Sequence, residues 1–77
     1  MSFERIRELI AEIVSCDIDE ITMDTNMKED LGMDSLDAME LVMSIDEELC
    51  VTIPDEKVPE MVYVKDLVAY VDEDLGE

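Results

Sequence analysis

Asp34-Ser35-Leu36-Asp37-Ala38-Met39-Glu40-Leu41-Val42-Met43-Ser44-Ile45-Asp46-Glu47-Glu48-Leu49 is the stretch on which the fold turns. Asp34 is a strong helix N-cap, and Asp37, three residues on, can reach back to it as in a capping box. The helix so begun is expected to run to about Leu49. On a wheel of about 100° per residue, Ala38, Leu41, Val42, Ile45 and Leu49 share one sector. Leu36, Met39 and Met43 share another, roughly 140° away. One stripe can face a core. A small domain has no second core for the other, so that stripe is expected to reach solvent. Glu40, Glu47 and Asp46 flank it, and no Lys or Arg occurs from Glu29 through Glu56. An apolar stripe rimmed by unmatched acids fits a docking surface for basic, partly apolar partners. Periodicity alone equally allows the stripe to cover a neighbouring helix.

Before this helix, Phe3, Ile6, Ile10 and Ile13 recur at steps of three and four, widened by Leu9 and Val14. They predict a helix over about Phe3 to Val14 with Ser2 as N-cap. The period is lost from Ser15 to Met33, a long loop of turn and cap formers. Within it, Asn26 and Glu29 are expected to cap one short helical turn that stops at Gly32. After the central helix, Val51-Thr52-Ile53-Pro54 is β-branched and broken by proline. Asp55 to Glu60 is expected to form one short turn limited by Pro59. Val64, Leu67, Val68, Val71 and Leu75 then predict a last helix ending near Gly76. The expected fold is all-α: a small four-helix bundle of three longer helices and one short helix, with a long loop between the first and second.

The chain has 77 residues, one domain spanning 1–77. At this size only about 60% of the unfolded surface is buried, so the core is small. There are 23 Asp+Glu against 5 Lys+Arg, a net charge of −18, yet 48% of residues are apolar. That apolar share is too high for a disordered acidic tail. The charge disfavours nucleic acid and anionic membranes and favours basic partner surfaces. No stretch approaches the ~20 apolar residues of a membrane span. Histidine is absent, which removes the commonest general base and metal ligand. Cys16 and Cys50 form no CxxC pair; they are expected to be free thiols of an intracellular chain, buried as small apolar residues.

Ser35 occupies the first turn of the central helix, where N–H groups are unpaired and the dipole end is positive. A phosphate on its hydroxyl would be favoured there. As a nucleophilic catalyst Ser35 fails, because no His, Ser-x-x-Lys or Gly-x-Ser-x-Gly pattern accompanies it.

Glu29-Asp30-Leu31-Gly32-Met33-Asp34-Ser35-Leu36-Asp37 resembles the attachment motif of the acyl carrier proteins. Met39 to Met43, Asp46 to Leu49 and Ile53-Pro54-Asp55-Glu56 match at the family's spacing, so the likeness covers essentially the whole chain. It implies that Ser35 carries a 4′-phosphopantetheine arm, transferred from coenzyme A by a phosphopantetheinyl transferase. It also implies that the arm's thiol holds acyl chains as thioesters, and that these chains can fold back into the bundle. The implied role is a cytoplasmic, monomeric carrier, not an enzyme, serving basic-patched enzymes of fatty-acid biosynthesis. By position, Asp34, Leu36, Asp37, Met39, Glu40, Met43, Glu47, Asp55 and Met61 match the family's partner-docking surface.

The sequence departs from that pattern in places. Leu49 stands where phenylalanine is common, and Cys16 where glycine is frequent. Pro59 falls inside the third helix. Val62-Tyr63 replaces a Thr-Thr pair that caps the last helix, so Asp66 is expected to supply that cap. A specialised carrier of polyketide, amino-acyl or other lipid chemistry is the alternative within the same class. A calcium-binding protein is the rival outside it. Asp17-x-Asp19 and Asp24-x-Asn26 suggest an EF-hand loop, but Thr22 and Glu29 stand where its glycine belongs. No metal site is therefore expected.

Overall fold

The computed structural model of the protein describes residues 2–76. Three α-helices, α1 (Phe3–Val14), α2 (Ser35–Leu49) and α3 (Val64–Leu75), are joined by a 3₁₀ turn at Ile18–Glu20 and a longer 3₁₀ segment at Asp55–Glu60. Among the described residues there is no strand, only an isolated antiparallel bridge between Asn26 and Tyr63. The three long helices and the short 3₁₀ segment form the expected all-α bundle. Pro59 lies inside that segment. Its missing N–H and locked φ keep the segment from lengthening into an α-helix.

Each long helix turns one apolar face inward. Ile6, Leu9 and Ile10 of α1, Leu41 and Ile45 of α2, and Val64, Leu67, Val68 and Val71 of α3 are buried together. Phe3, Ile13 and Val14 only half-cover this core, and Leu75, expected on the inner stripe, is 42% exposed. Between α2 and the 3₁₀ segment the chain is extended. Val51 and Ile53 therefore point inward while Thr52 points out.

The long loop is not slack. Met27 N–H donates to the Val62 carbonyl at 3.0 Å, Val64 N–H to the Thr25 carbonyl at 3.0 Å and Lys65 N–H to the Met23 carbonyl at 2.9 Å. These bonds staple the loop to the entrance of α3 and place Ile21, Met27 and Met33 in the core. Thr25 is buried, and its Oγ1 accepts from Thr22 N–H at 2.8 Å.

Several local expectations need correction. Ser2 sits at the start of α1 but makes no side-chain cap, because its backbone is already helical at φ −89°, ψ −4°. Its N–H instead donates to Asp72 Oδ1 at 2.7 Å, linking the start of α1 to the last turn of α3. Residues 27–31 form the expected short helical turn, with Asp30 N–H donating to the Asn26 carbonyl at 2.8 Å and Gly32 N–H to the Lys28 carbonyl at 3.0 Å. Asn26 Oδ1 accepts from Lys28 and Glu29 N–H, but the reciprocal acid is Asp30, whose Oδ2 accepts from Asn26 N–H at 2.8 Å. Gly32 ends the turn at φ 67°, as expected. Cys16 is half-buried and Cys50 is exposed. Neither is a core residue, because each lies just past a helix end. Cys50 and Ser15 are the C-caps of α2 and α1, with φ 58° and 56°.

Candidate functional site

The entrance of α2 is built by two aspartates. Asp34 Oδ1 accepts from Asp37 N–H at 2.9 Å, and Asp37 Oδ2 accepts from Asp34 N–H at 3.3 Å. The Asp34 carbonyl accepts from Ala38 N–H at 3.0 Å. This reciprocal cap fixes where the helix starts and so fixes Ser35 as its first residue. Ser35 is exposed, which leaves its hydroxyl open to an incoming enzyme. The N–H groups of Ser35 and Leu36 have no acceptor among the described residues. The helix dipole is worth roughly half a positive charge. That is less than the two carboxylates beside it, so the expected attraction for a phosphate is outweighed. A group held here would need a covalent bond rather than charge.

Ser35 stands on the rim of a cleft of about 860 Å³. This falls within the roughly 300–1,000 Å³ typical of small-molecule sites. Its walls are mainly apolar: Met27 and Met33 from the loop, Ala38, Leu41 and Val42 from α2, Val58 and Pro59 from the 3₁₀ segment, and Leu67 from α3. The backbone staple between the loop and α3 holds its far wall. Such a space can take a flexible apolar chain entering beside Ser35.

The second stripe of α2 does reach solvent. Leu36 is 75% exposed, Met39 60% and Met43 61%. Glu40, Asp46 and Glu47 are exposed around it, and Asp46 Oδ1 accepts from Thr52 Oγ1 at 3.3 Å. No cation lies on α2 itself, although Lys28 of the loop lines the cleft. Arg5 pairs with Glu8 and Glu48, Arg7 with Glu4 and Asp19, and Lys65 with Asp24. Asp34, Met39, Asp55 and Met61 gather with Ser35 around the cleft, while Leu36, Glu40, Met43 and Glu47 continue along α2. Asp37 and Met61 are half-buried: one serves the cap, the other packs against the core. Sequence reasoning missed the walls Met27, Met33 and Val58. They come from segments without period, so nothing local marks them.

The family described as phosphopantetheine attachment site matches residues 4–71. An acyl carrier protein of Onion yellows phytoplasma is 46% identical over 71 residues, covering 92% of this chain and 93% of that protein. Those of Clostridium perfringens, at 45% over the same shares, and Campylobacter hominis, at 39% over 91% and 89%, are similar. The chain belongs to the acyl carrier protein family. Its cofactor is accordingly 4′-phosphopantetheine, covalently held, and its role is that of an acyl carrier rather than an enzyme. Acyl chains and a phosphopantetheinyl transferase are the partners this role requires. No helix among the described residues is long and apolar enough to cross a membrane. No group of His, Cys, Asp and Glu among them is arranged to hold a metal ion.

Proposed function

We propose that Ser35 Oγ is the attachment point of the 4′-phosphopantetheine arm, and that the chain, one acyl-carrier domain over residues 1–77, presents acyl groups to enzymes of fatty-acid biosynthesis. The observation that carries this reading is the placement of Ser35: exposed at the start of α2, on the rim of an apolar cleft, beside an exposed apolar stripe. When bound, the arm supplies a thiol that holds an acyl group as a thioester. The chain's own residues do the rest. Asp34 and Asp37 fix the helix start and hence the position of the oxygen. The cleft lining shields an apolar chain from water. Leu36, Met39 and Met43, with Met61 at the cleft, supply apolar contact to partners. Asp34, Asp37, Glu40, Glu47 and Asp55 steer their basic patches.

Exposed rim pairs add only about 0–1 kcal/mol each. Their main effect is on association rate. Weak, fast docking suits a carrier that must leave each enzyme in turn. The same acids would repel a second copy of a chain at −18, which supports a monomer. Two free thiols fit a cytoplasmic setting.

The test is turnover of the loaded chain. Acyl-loaded protein is expected to be elongated by a fatty-acid ketoacyl synthase and not to be charged by an amino-acid ligase. The opposite pattern would favour the specialised carrier.

A further inference from the structure

The described methionines range from buried to well exposed. Met27 and Met33 are 8% and 7% exposed and belong to the core. Met23 and Met61 are half-buried. Met39 and Met43 are 60% and 61% exposed. They lie four residues apart on α2, so their thioethers are neighbours on one face. With Leu36 they make up the apolar stripe.

We propose that Met39 and Met43 are a paired oxidation site that switches the docking surface off without unfolding the domain. The oxidant class is a peroxide. A sulfur lone pair attacks one peroxide oxygen, the O–O bond breaks and an S=O bond forms. Sulfur is oxidised by two electrons, and the other oxygen leaves as water with both protons. A thiol-dependent sulfoxide reductase reverses the step, two thiols becoming a disulfide and the oxygen leaving as water.

Oxidation replaces a flexible apolar contact with a polar one that has no partner in an apolar pocket. The fold tolerates this because neither side chain belongs to the core. The core methionines, where a sulfoxide would be destructive, offer the oxidant far less surface, although both line the cleft.

The consequence for docking rests on the proposed docking role of the stripe, and the experiment separates the two. The chain without its arm is treated with hydrogen peroxide, and its thiols are restored with dithiothreitol, which leaves sulfoxides in place. Peptide mass mapping is expected to show oxygen on Met39 and Met43 at least about fivefold faster than on Met27 and Met33. The melting temperature is expected to stay within about 3 °C, because no core contact is lost. The efficiency of loading by a phosphopantetheinyl transferase is expected to fall roughly tenfold and to return after reductase treatment. In Met39→Leu/Met43→Leu the loading rate, whatever its starting value, is expected not to respond to peroxide. Equal oxidation of all four methionines would overturn the site. Undiminished loading of oxidised protein, with loading weakened in Met39→Ala/Met43→Ala, would overturn the switch but leave the docking role standing. Undiminished loading in both would overturn the switch and the docking role together.

Discussion

Ser15 and Cys50 hold left-handed backbone angles that a side chain disfavours, at φ 56° and 58°. Glycine relieves that cost but loosens the unfolded chain, and relief is the larger of the two. Ser15→Gly and Cys50→Gly are each expected to gain about 0.5–1 kcal/mol, seen as a rise of about 2–8 °C in Tm. The two cysteines also differ in reactivity. Partial burial, and secondarily Glu20 and Asp17, push the Cys16 thiol above its ordinary value, while Cys50 is exposed. Alkylation followed by mass mapping is expected to mark Cys50 several-fold before Cys16. Asp72 is the group that ties stability to acid pH. Hydrogen bonding from Ser2 holds its carboxyl below the usual carboxylate value. A lowered value means that the folded state favours the ionised form. That stabilisation is complete above the ordinary carboxylate value and is lost as pH falls through the folded one. Asp72→Asn is expected to cost roughly 0.5–1 kcal/mol near neutrality, discounted because the carboxylate is only half-buried. It should make the acid side of a Tm-against-pH curve shallower. An unchanged curve would remove the α1–α3 link from the account.

At the level of elements, α3 starts without a hydroxyl cap. Tyr63 N–H donates to Asp66 Oδ2 at 3.1 Å, and Asp66 N–H donates to the Tyr63 carbonyl at 3.0 Å. Asp66→Ala is therefore expected to cost about 0.5–1 kcal/mol by thermal unfolding, and a neutral result would place the cap elsewhere. This cap was legible in the sequence, as were all three long helices. In each, a run with a 3.6-residue period meets a stop signal, and those signals are local. What was not legible depends on distance or lacks a period. The 3₁₀ turn at Ile18–Glu20 is held by Asp17, whose Oδ1 accepts from Asp19 N–H, too short a feature for a pattern. The cleft needs Met27, Val58 and Leu67 brought together, and the backbone bonds that tie the loop of Met27 to the start of α3 join residues far apart in sequence. The wheel of α2 did separate its two stripes. Only the packed structure could decide that the second is free.

For the whole molecule, charge and compactness pull in opposite directions. The radius of gyration is 11.0 Å, near the roughly 11.5 Å of a compact chain of this length, so −18 does not swell the fold. Added salt weakens the surface ion pairs of Arg5, Arg7 and Lys65 and also weakens repulsion among the excess acids. Those exposed pairs are worth about 0–1 kcal/mol each, and the unmatched acids far outnumber them. Repulsion is therefore the larger loss, and Tm is expected to rise by several degrees between low salt and about 0.5 M salt. A fall would mean that the ion pairs dominate. The account as a whole depends on one oxygen among four serines, Ser2, Ser15, Ser35 and Ser44. Fragmentation mass spectrometry of the chain after coenzyme A and a phosphopantetheinyl transferase tests it most directly. The account predicts a single phosphopantetheine on Ser35 and none on Ser35→Ala. A folded chain that gains no mass, or gains it at another serine, would contradict it.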